Sequence, residues 1–201
     1  MKATNKKIMI DFWAGFGGMS EAFHQSPGWA VLRIDNNPLL EAVPNMILAD
    51  CMTLEPFSLG TSKVDYVHCS FPCLEFSQAF NAPGPTARRA GFDFKPDLKP
   101  AKRALWLIRK LNPKYWSIEN VKGSIPHLTP LLGEPSMILG SHVFWGNFPR
   151  FEYTHELEFK KDMDKRHSPL RANYRAKIPF NISRSMLKCI DEQKSITDYL
   201  D

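Results

Sequence analysis

The stretch HCSFPCLEFS, residues 68–77, places a thiol directly after a proline at the end of a short apolar run. Pro72 fixes its own φ and restricts Phe71 before it, so the approach to Cys73 is stiff. A cysteine held this way can act as a nucleophile. The thiolate is the reactive form, and it calls for a positive or dipolar setting. Arg88 and Arg89, on the segment that follows, are candidates to supply it. Glu119 ends the apolar stretch YWSIEN. A carboxyl emerging beside a cysteine can share or donate a proton to a ring nitrogen while sulfur attacks the ring. His142, just before FWGN, is another hydrogen-bonding candidate. Each of these residues also has a plain structural reading, such as a half-buried cysteine in a tight turn. Their joint position at strand ends is what favours chemistry. His68, Cys69 and Cys73 lack the second ligand pair of a tetrahedral metal site, so no metal is expected.

A second group of residues suits a nucleotide-like ligand. DFWAGFGG sets three glycines after a first apolar run. Glycine there permits a tight turn and close approach of a ligand to the backbone, and a helix N-terminus beyond it adds a weak positive field. Asp35 ends the next apolar run, placed to accept from both hydroxyls of a ribose. Asp50 ends the third and could accept from an adenine amino group. Nicotinamide and flavin sites share this grammar, and the spacing departs from GxGxxG. A packing turn with two capping aspartates is the structural alternative.

The elements that must position these residues alternate. KKIMIDFW, WAVLRID, MILAD, KVDYVHCS, KYWSIEN and HVFWGNF read as six strands. GFGGMSEAFHQ opens a helix, LLEAVPN is helical but interrupted by Pro44, and PAKRALWLIRKL has helical spacing with Pro100 in its first turn. Asn81 to Lys99, rich in proline and glycine, reads as a long loop. Strands alternating with helices imply an α/β fold with a mainly parallel sheet covered on both faces. Ligands bind such sheets beyond the carboxyl ends of the strands, where Gly15, Asp35, Asp50, Cys73 and Glu119 all fall.

The chain has 201 residues, 43% hydrophobic and 23% charged, which suits one globular domain with a sizeable core. No apolar run is long enough to span a membrane. Four cysteines are too few for a disulfide scaffold and suggest a reducing compartment. The net charge of +5 is uneven: residues 88–114 hold nine Lys/Arg against two Asp/Glu, and residues 150–188 hold ten against five. Basic blocks of this kind point to an anionic partner, often nucleic acid, or to a solvated lysine-rich face.

DFWAGFGGMSEAF (11–23), FPCLEFSQA (71–79) and ENV (119–121) resemble the first, fourth and sixth motifs of the cytosine-C5 DNA methyltransferase family, in the same order. SHVFWGNFP (141–149) resembles its eighth-motif region. The resemblance implies a Rossmann-like fold dependent on S-adenosylmethionine. It places Trp13, Gly15, Phe16, Gly17, Gly18, Asn36, Cys51 and Pro72 around that cofactor, with Asp35 at the ribose and Asp50 at the adenine. It makes Cys73 the nucleophile toward C6 of cytosine and Glu119 the partner of N3. DNA is the implied substrate, duplex or single-stranded, touched by Ser77, Arg88, Arg89 and Asn120. A free cytidine nucleotide or an RNA cytosine is the alternative, as is a weakly catalytic subunit that holds cofactor or DNA. A bacterial or phage-encoded protein on the nucleoid is the implied setting.

The sequence departs from that pattern in four places. Leu74 follows the cysteine where a polar residue is usual. Gly140 and His142 stand where the eighth motif has Arg-x-Arg, so His142 is expected to take over one contact to cytosine O2. Residues 148–173 form a short basic segment where the family has a target recognition domain, so residues 1–201 are expected to be a single catalytic domain that reads little sequence or relies on a second subunit. AKIPFNISRSMLKCI (176–190) resembles a degenerate tenth motif, which would bring the chain end back beside the first motif; a plain C-terminal helix is the alternative. An unrelated nucleotide-binding oxidoreductase would leave the Pro-Cys and Glu-Asn pairings unexplained.

Overall fold

Short apolar runs bounded by glycine, proline and asparagine build the sheet. The computed structural model describes residues 6–59, 63–153 and 167–193. Strands β1 (Lys7–Phe12), β2 (Trp29–Asp35), β3 (Met46–Leu48), β4 (Tyr66–Cys69) and β5 (Tyr115–Val121) are parallel. β6 (Met137–Leu139) and β7 (His142–Asn147) close the far edge antiparallel. The order is β3-β2-β1-β4-β5-β7-β6. This is a doubly wound, Rossmann-like sheet, and its order reverses between β1 and β4.

Period-two alternation sends neighbouring residues to opposite faces. Ile10, Phe12, Val67, Cys69 and Ile118 enter one core, covered by α3 (Lys99–Leu111) and α4 (Ile125–Leu132). Met9, Val31, Tyr66 and Phe144 enter the other, covered by α1 (Glu21–Gln25) and α6 (Phe180–Asp191). In α3, Pro100 sits in the first turn and Asn112 closes the end in the left-handed region, at φ 44°. Ala101, Ala104, Leu107 and Ile108 form its buried stripe. The two large side chains contribute roughly 2 kcal/mol each by leaving water. No helix among the described residues is long and apolar enough to cross a membrane.

The chain end returns to the first glycine loop. The Ser183 hydroxyl donates to the Met19 carbonyl and accepts from the Ala22 amide at 3.0 Å, which ties α6 to the start of α1. A Cβ at Gly18 would lie 2.6 Å from the backbone N and O of Ile178. The glycine is there so that the tail can pack.

Four elements differ from the sequence expectation. LLEAVPN forms only a 3-10 turn at Pro38–Leu40, because Pro44 removes an amide and Asn45 turns to φ 60°. The long loop contains α2 (Pro83–Arg89), whose prolines fall in its first turn and cost it no hydrogen bond. MIL at 137–139 is a strand too short to stand out, so the run expected as the sixth strand is the seventh. α4 went unread because Pro130 lies inside it. Of the basic segment 148–173, residues 154–166 lie outside the described residues.

Gly18→Ala is expected to lose about 1–3 kcal/mol to overpacking against Ile178. Urea unfolding measures the loss, and amide exchange over residues 178–190 should accelerate. Unchanged exchange there would contradict the close approach.

Candidate active site

The crevice opens where β1 and β4 diverge. Beyond β1 the backbone reverses through Trp13 at φ 54°, Gly15 at φ 53° and Gly17 at φ 69°. A non-glycine residue held at positive φ stores strain that the surroundings must sustain. Here Asp35 supplies the restraint: its Oδ2 accepts from the Gly15 amide at 2.9 Å, and its Oδ1 accepts from Asn37 at 3.0 Å. Trp13 meets Phe71 edge-on with centroids 6.1 Å apart. A half-buried carboxylate, an indole and an open glycine backbone suit a cationic nucleoside, since aromatic faces and carboxylates both attract positive charge. Asn36 and Asp50 are exposed at the rim, and Asp50 accepts from Met52. The Cys51 side chain lies in the core, its thiol bonded to the Ile34 carbonyl and pushed up to about 12 by burial. Cys51, expected at the cofactor, is buried as a whole residue, and its carbonyl accepts from Arg103 Nε at 3.0 Å.

Helix α5 (Arg171–Ala176) stands over this loop. Tyr174 stacks on Phe16 at 4.5 Å between centroids, and a Cβ at Gly15 would be 3.4 Å from the Asn173 amide nitrogen. The tail therefore forms part of the crevice wall.

Cys73 follows β4 with φ −97° and ψ 0°, in the sparsely used bridge region. The Asn120 amide donates to the Phe71 carbonyl at 3.2 Å and steadies the approach. Asn120 was expected at the nucleic acid; it is buried, and its amide is committed to this loop. Burial raises the Cys73 thiol above its ordinary 9.0, the Glu119 charge raises it further, and Arg175 lowers it. Arg88 and Arg89 do not supply the positive setting expected of them. Arg88 donates to Gln78 at 2.7 Å, and Arg89 stacks over Phe80 at 3.8 Å, both on the outer side of α2. Ser77 accepts from the Ala79 amide beside them.

Glu119, 6% exposed, is held at both oxygens. The Ser70 hydroxyl donates to Oε2 at 2.6 Å, and His142 Nδ1 lies 2.8 Å from Oε1. The structure thus brings Cys73, Glu119 and His142 to one end of the sheet, across from the glycine loop. His68 and Cys69 point to opposite faces and cannot share a metal with Cys73. Sequence reasoning missed Ser70, Asn173, Tyr174 and Arg175. Ser70 was legible as the hydroxyl two residues after His68 on the same face. The α5 residues carried no local signal.

A family model described as C-5 cytosine-specific DNA methylase matches residues 8–129. No curated protein matches the chain. Among solved structures, the chain is similar to an E. coli prophage-encoded protein described as a DNA modification methyltransferase, at 16% identity and TM-score 0.47 over 71% of this chain and 47% of that one. It is similar to the Entamoeba histolytica methyltransferase EhMeth at 14% identity and TM-score 0.47, over 76% of this chain and 56% of that one. It is also similar to the S. pombe Dnmt2 methyltransferase at 23% and 0.40, over 59% and 37%. The chain therefore spans less than two thirds of the length of each.

Alkylation of Cys73 by iodoacetamide, followed by mass spectrometry in a Cys189→Ser background, should have its pH midpoint above 9.0. Glu119→Gln should lower the midpoint and Arg175→Gln should raise it. A midpoint unmoved by both variants would show that neither charge reaches the sulfur.

Proposed function

This chain belongs to the family of C-5 cytosine-specific DNA methylases, and we propose that it methylates C5 of cytosine in DNA through a covalent bond from Cys73 to C6. The observation that carries this reading is the meeting of Cys73, Glu119 and the glycine loop at one crevice, close enough for the Glu119 charge to act on the thiol.

S-adenosylmethionine, when bound, supplies a methyl group on a positively charged sulfur. Asp35 and the backbone at Gly15 would hold its nucleoside, with Trp13 and Phe16 flanking it, while Gly17 and Gly18, buried against Arg33 and Ile178, would shape the turn. Asn36 and Asp50 would form the rim, and Pro72 would close the side toward the base. Cys73 gives its proton to solvent, and Sγ bonds to C6 of the base. Glu119 delivers its proton to N3, so the electrons of the addition come to rest in a neutral enamine rather than a carbanion. C5, now nucleophilic, would accept the methyl group, the S–CH3 bond of the sulfonium breaking to leave a neutral thioether. Water then takes the C5 proton, the C6–S bond breaks, and the N3 proton returns to Glu119. Ser70 and His142 keep the carboxyl aimed throughout, and His142 can also reach O2.

The raised thiol fits this sequence. Its thiolate is scarce in the free protein and forms when a base occupies the site and Glu119 gives up its charge by taking a proton. A base within a duplex would have to be flipped out, at a few kcal/mol. Arg88, Arg89, Ser77 and the basic stretch to Lys114 would contact the flanking backbone. A second reading, a catalytic lobe that works with another polypeptide, is favoured by Leu74, next to Cys73 in the chain, and by Phe80 and Phe92 on the segment that follows, which are 63%, 72% and 70% exposed.

Labelled S-adenosylmethionine should transfer its methyl group to DNA, and Cys73→Ser should reduce transfer about a thousandfold or more. DNA containing 5-fluorocytosine should trap a covalent complex, because fluorine at C5 blocks release of the sulfur. Duplex DNA, single-stranded DNA, RNA and deoxycytidine nucleotides form parallel arms. Transfer confined to RNA or nucleotides would replace the DNA reading, and transfer that survives Cys73→Ser would overturn the mechanism.

A further inference from the structure

The three most exposed large apolar side chains among the described residues, Phe80, Phe92 and Leu74, all follow Cys73 closely in the chain. Their neighbours are well anchored. Phe76 is buried, with the Phe71 ring 6.3 Å away and the His127 ring 6.0 Å away. A Cβ at Gly123 would run into the Phe76 carbonyl, so the turn after β5 closes on this residue. Phe94 rests against Gly84 of α2, where a Cβ would stand 3.4 Å from its ring. Gly91 turns the chain at φ 77°, and the Phe92 amide then donates to the Ala87 carbonyl at 2.9 Å. One set of aromatic residues therefore ties the segment down, and another set is left facing water.

We propose that Leu74, Phe80 and Phe92 form a platform on which the unpaired bases flanking the target cytosine stack, so that this chain takes a single strand of nucleic acid in preference to a duplex. The proposal rests on the functional reading above and names the substrate class of that site.

Cationic and polar groups are interleaved with the exposed rings. The Arg89 guanidinium lies 3.8 Å from the centroid of the Phe80 ring, and Arg88 donates to Gln78 at 2.7 Å. A half-open hollow of about 190 Å³ is lined by Gln78, Arg88, Phe92 and Phe94, with the acids Glu75 and Asp93. It is smaller than the roughly 300–1,000 Å³ of a drug-sized pocket and suits one flat ring. Two nearby carboxylates are engaged by backbone: Glu75 accepts from the Asp97 amide, and Asp97 accepts from the Lys99 amide at 2.8 Å.

Bases in a duplex stack on one another and offer a protein only their edges and the phosphates. Unpaired bases have free faces, and aromatic rings and guanidinium planes cover such faces without reading sequence. Phe80 with Arg89 over it offers both surfaces, since a base can stack on the guanidinium or displace it toward a phosphate. Leu74 stands next to the nucleophile, where a polar residue is usual, and meets the neighbour of the target base. An unpaired cytosine also skips the cost of extraction from a duplex. A protein partner would use the same side chains, and charge decides between the two. Residues 88–114 hold nine Lys/Arg against two Asp/Glu. That field attracts a polyanion, whereas the core of a protein interface is depleted of charge.

Fluorescence anisotropy with the full chain and a thymine homopolymer, which holds no cytosine, tests the platform apart from methyl transfer. The single strand should bind at least about tenfold more tightly than the same strand paired with its complement, at one salt concentration. Phe80→Ala and Phe92→Ala should each weaken single-strand binding at least about fivefold and leave duplex binding level. Both side chains are exposed, so urea unfolding of the two variants should match wild type. Phe80→Trp should restore the affinity, and its emission, in excess over wild type, should be quenched as the strand binds. A uridine homopolymer in a parallel arm tells DNA from RNA, and either strand bound through the aromatic side chains supports the platform. Equal affinity for single strand and duplex would overturn the proposal, as would single-strand affinity unmoved by both alanine variants. Self-association of wild type in sedimentation, lost in the alanine variants while strand binding stays level, would give the surface to a second copy of the chain and overturn the proposal as well. Strand binding as expected, with no methyl transfer to any cytosine substrate, would keep the platform and sink the proposed reaction.

Discussion

A sheet covered on both faces leaves the polar side chains inside it with only one another as partners. That constraint shapes this molecule more than any single contact. Arg33, Asp11, His68 and Ser117 share one level of the sheet because strand register puts them there. Their hydrogen bonds tie β2 to β1 through Ser20, and β4 to β5, beneath the crevice. One strand period above, Asp35, Trp13, Ser70 and Glu119 meet the open end. Because side chains alternate with period two, a register slip of one residue would carry both levels to the wrong face. Floor and site are therefore set by the same pairing.

Electrostatics at the crevice work against the thiol at rest. Cys73 is partly buried, close to a carboxylate, and raised by both. A backbone hydrogen bond at Cys73 and Arg175, from the far end of the chain, oppose them. The family resemblance directs attention to an activated cysteine, yet the free protein holds it mostly as the thiol. In the proposed reaction the same carboxyl that suppresses the thiolate loses its charge when it is protonated, so nucleophile and acid are coupled through one group. His142, standing where an arginine is usual, keeps a cation-capable contact on Glu119 at 2.8 Å.

Much of the fold was legible from local pattern. The strands WAVLRID and KYWSIEN, the amphipathic α3 and the glycine turn after β1 all appear where alternation, helical spacing and breakers put them. The failures have local causes too. Pro44 and Asn45 cut a helical pattern down to a 3-10 turn. Pro83 and Pro85 read as breakers but stand in a first turn, where an imide nitrogen is harmless. Among site residues, Cys73, Glu119 and His142 met as the motifs implied. Arg88 and Arg89 did not reach the sulfur, and Asn120 and the Cys51 side chain turned inward.

Residue order alone settles what depends on near neighbours: where strands alternate, where glycine frees the backbone, and where proline stiffens the approach to Cys73. It also settles which residue types stand at strand ends, and so the class of chemistry. Folding in three dimensions settles which of those residues share a space. Arg175 acts on Cys73, Tyr174 stacks on Phe16, and Ser183 bonds to Met19 across 164 residues of chain, although nothing near any of them in sequence announces the partner. The reason is physical. A local pattern encodes which face is apolar and where the chain turns, whereas the partner of a buried polar group is chosen by sheet register and by the docking of distant helices.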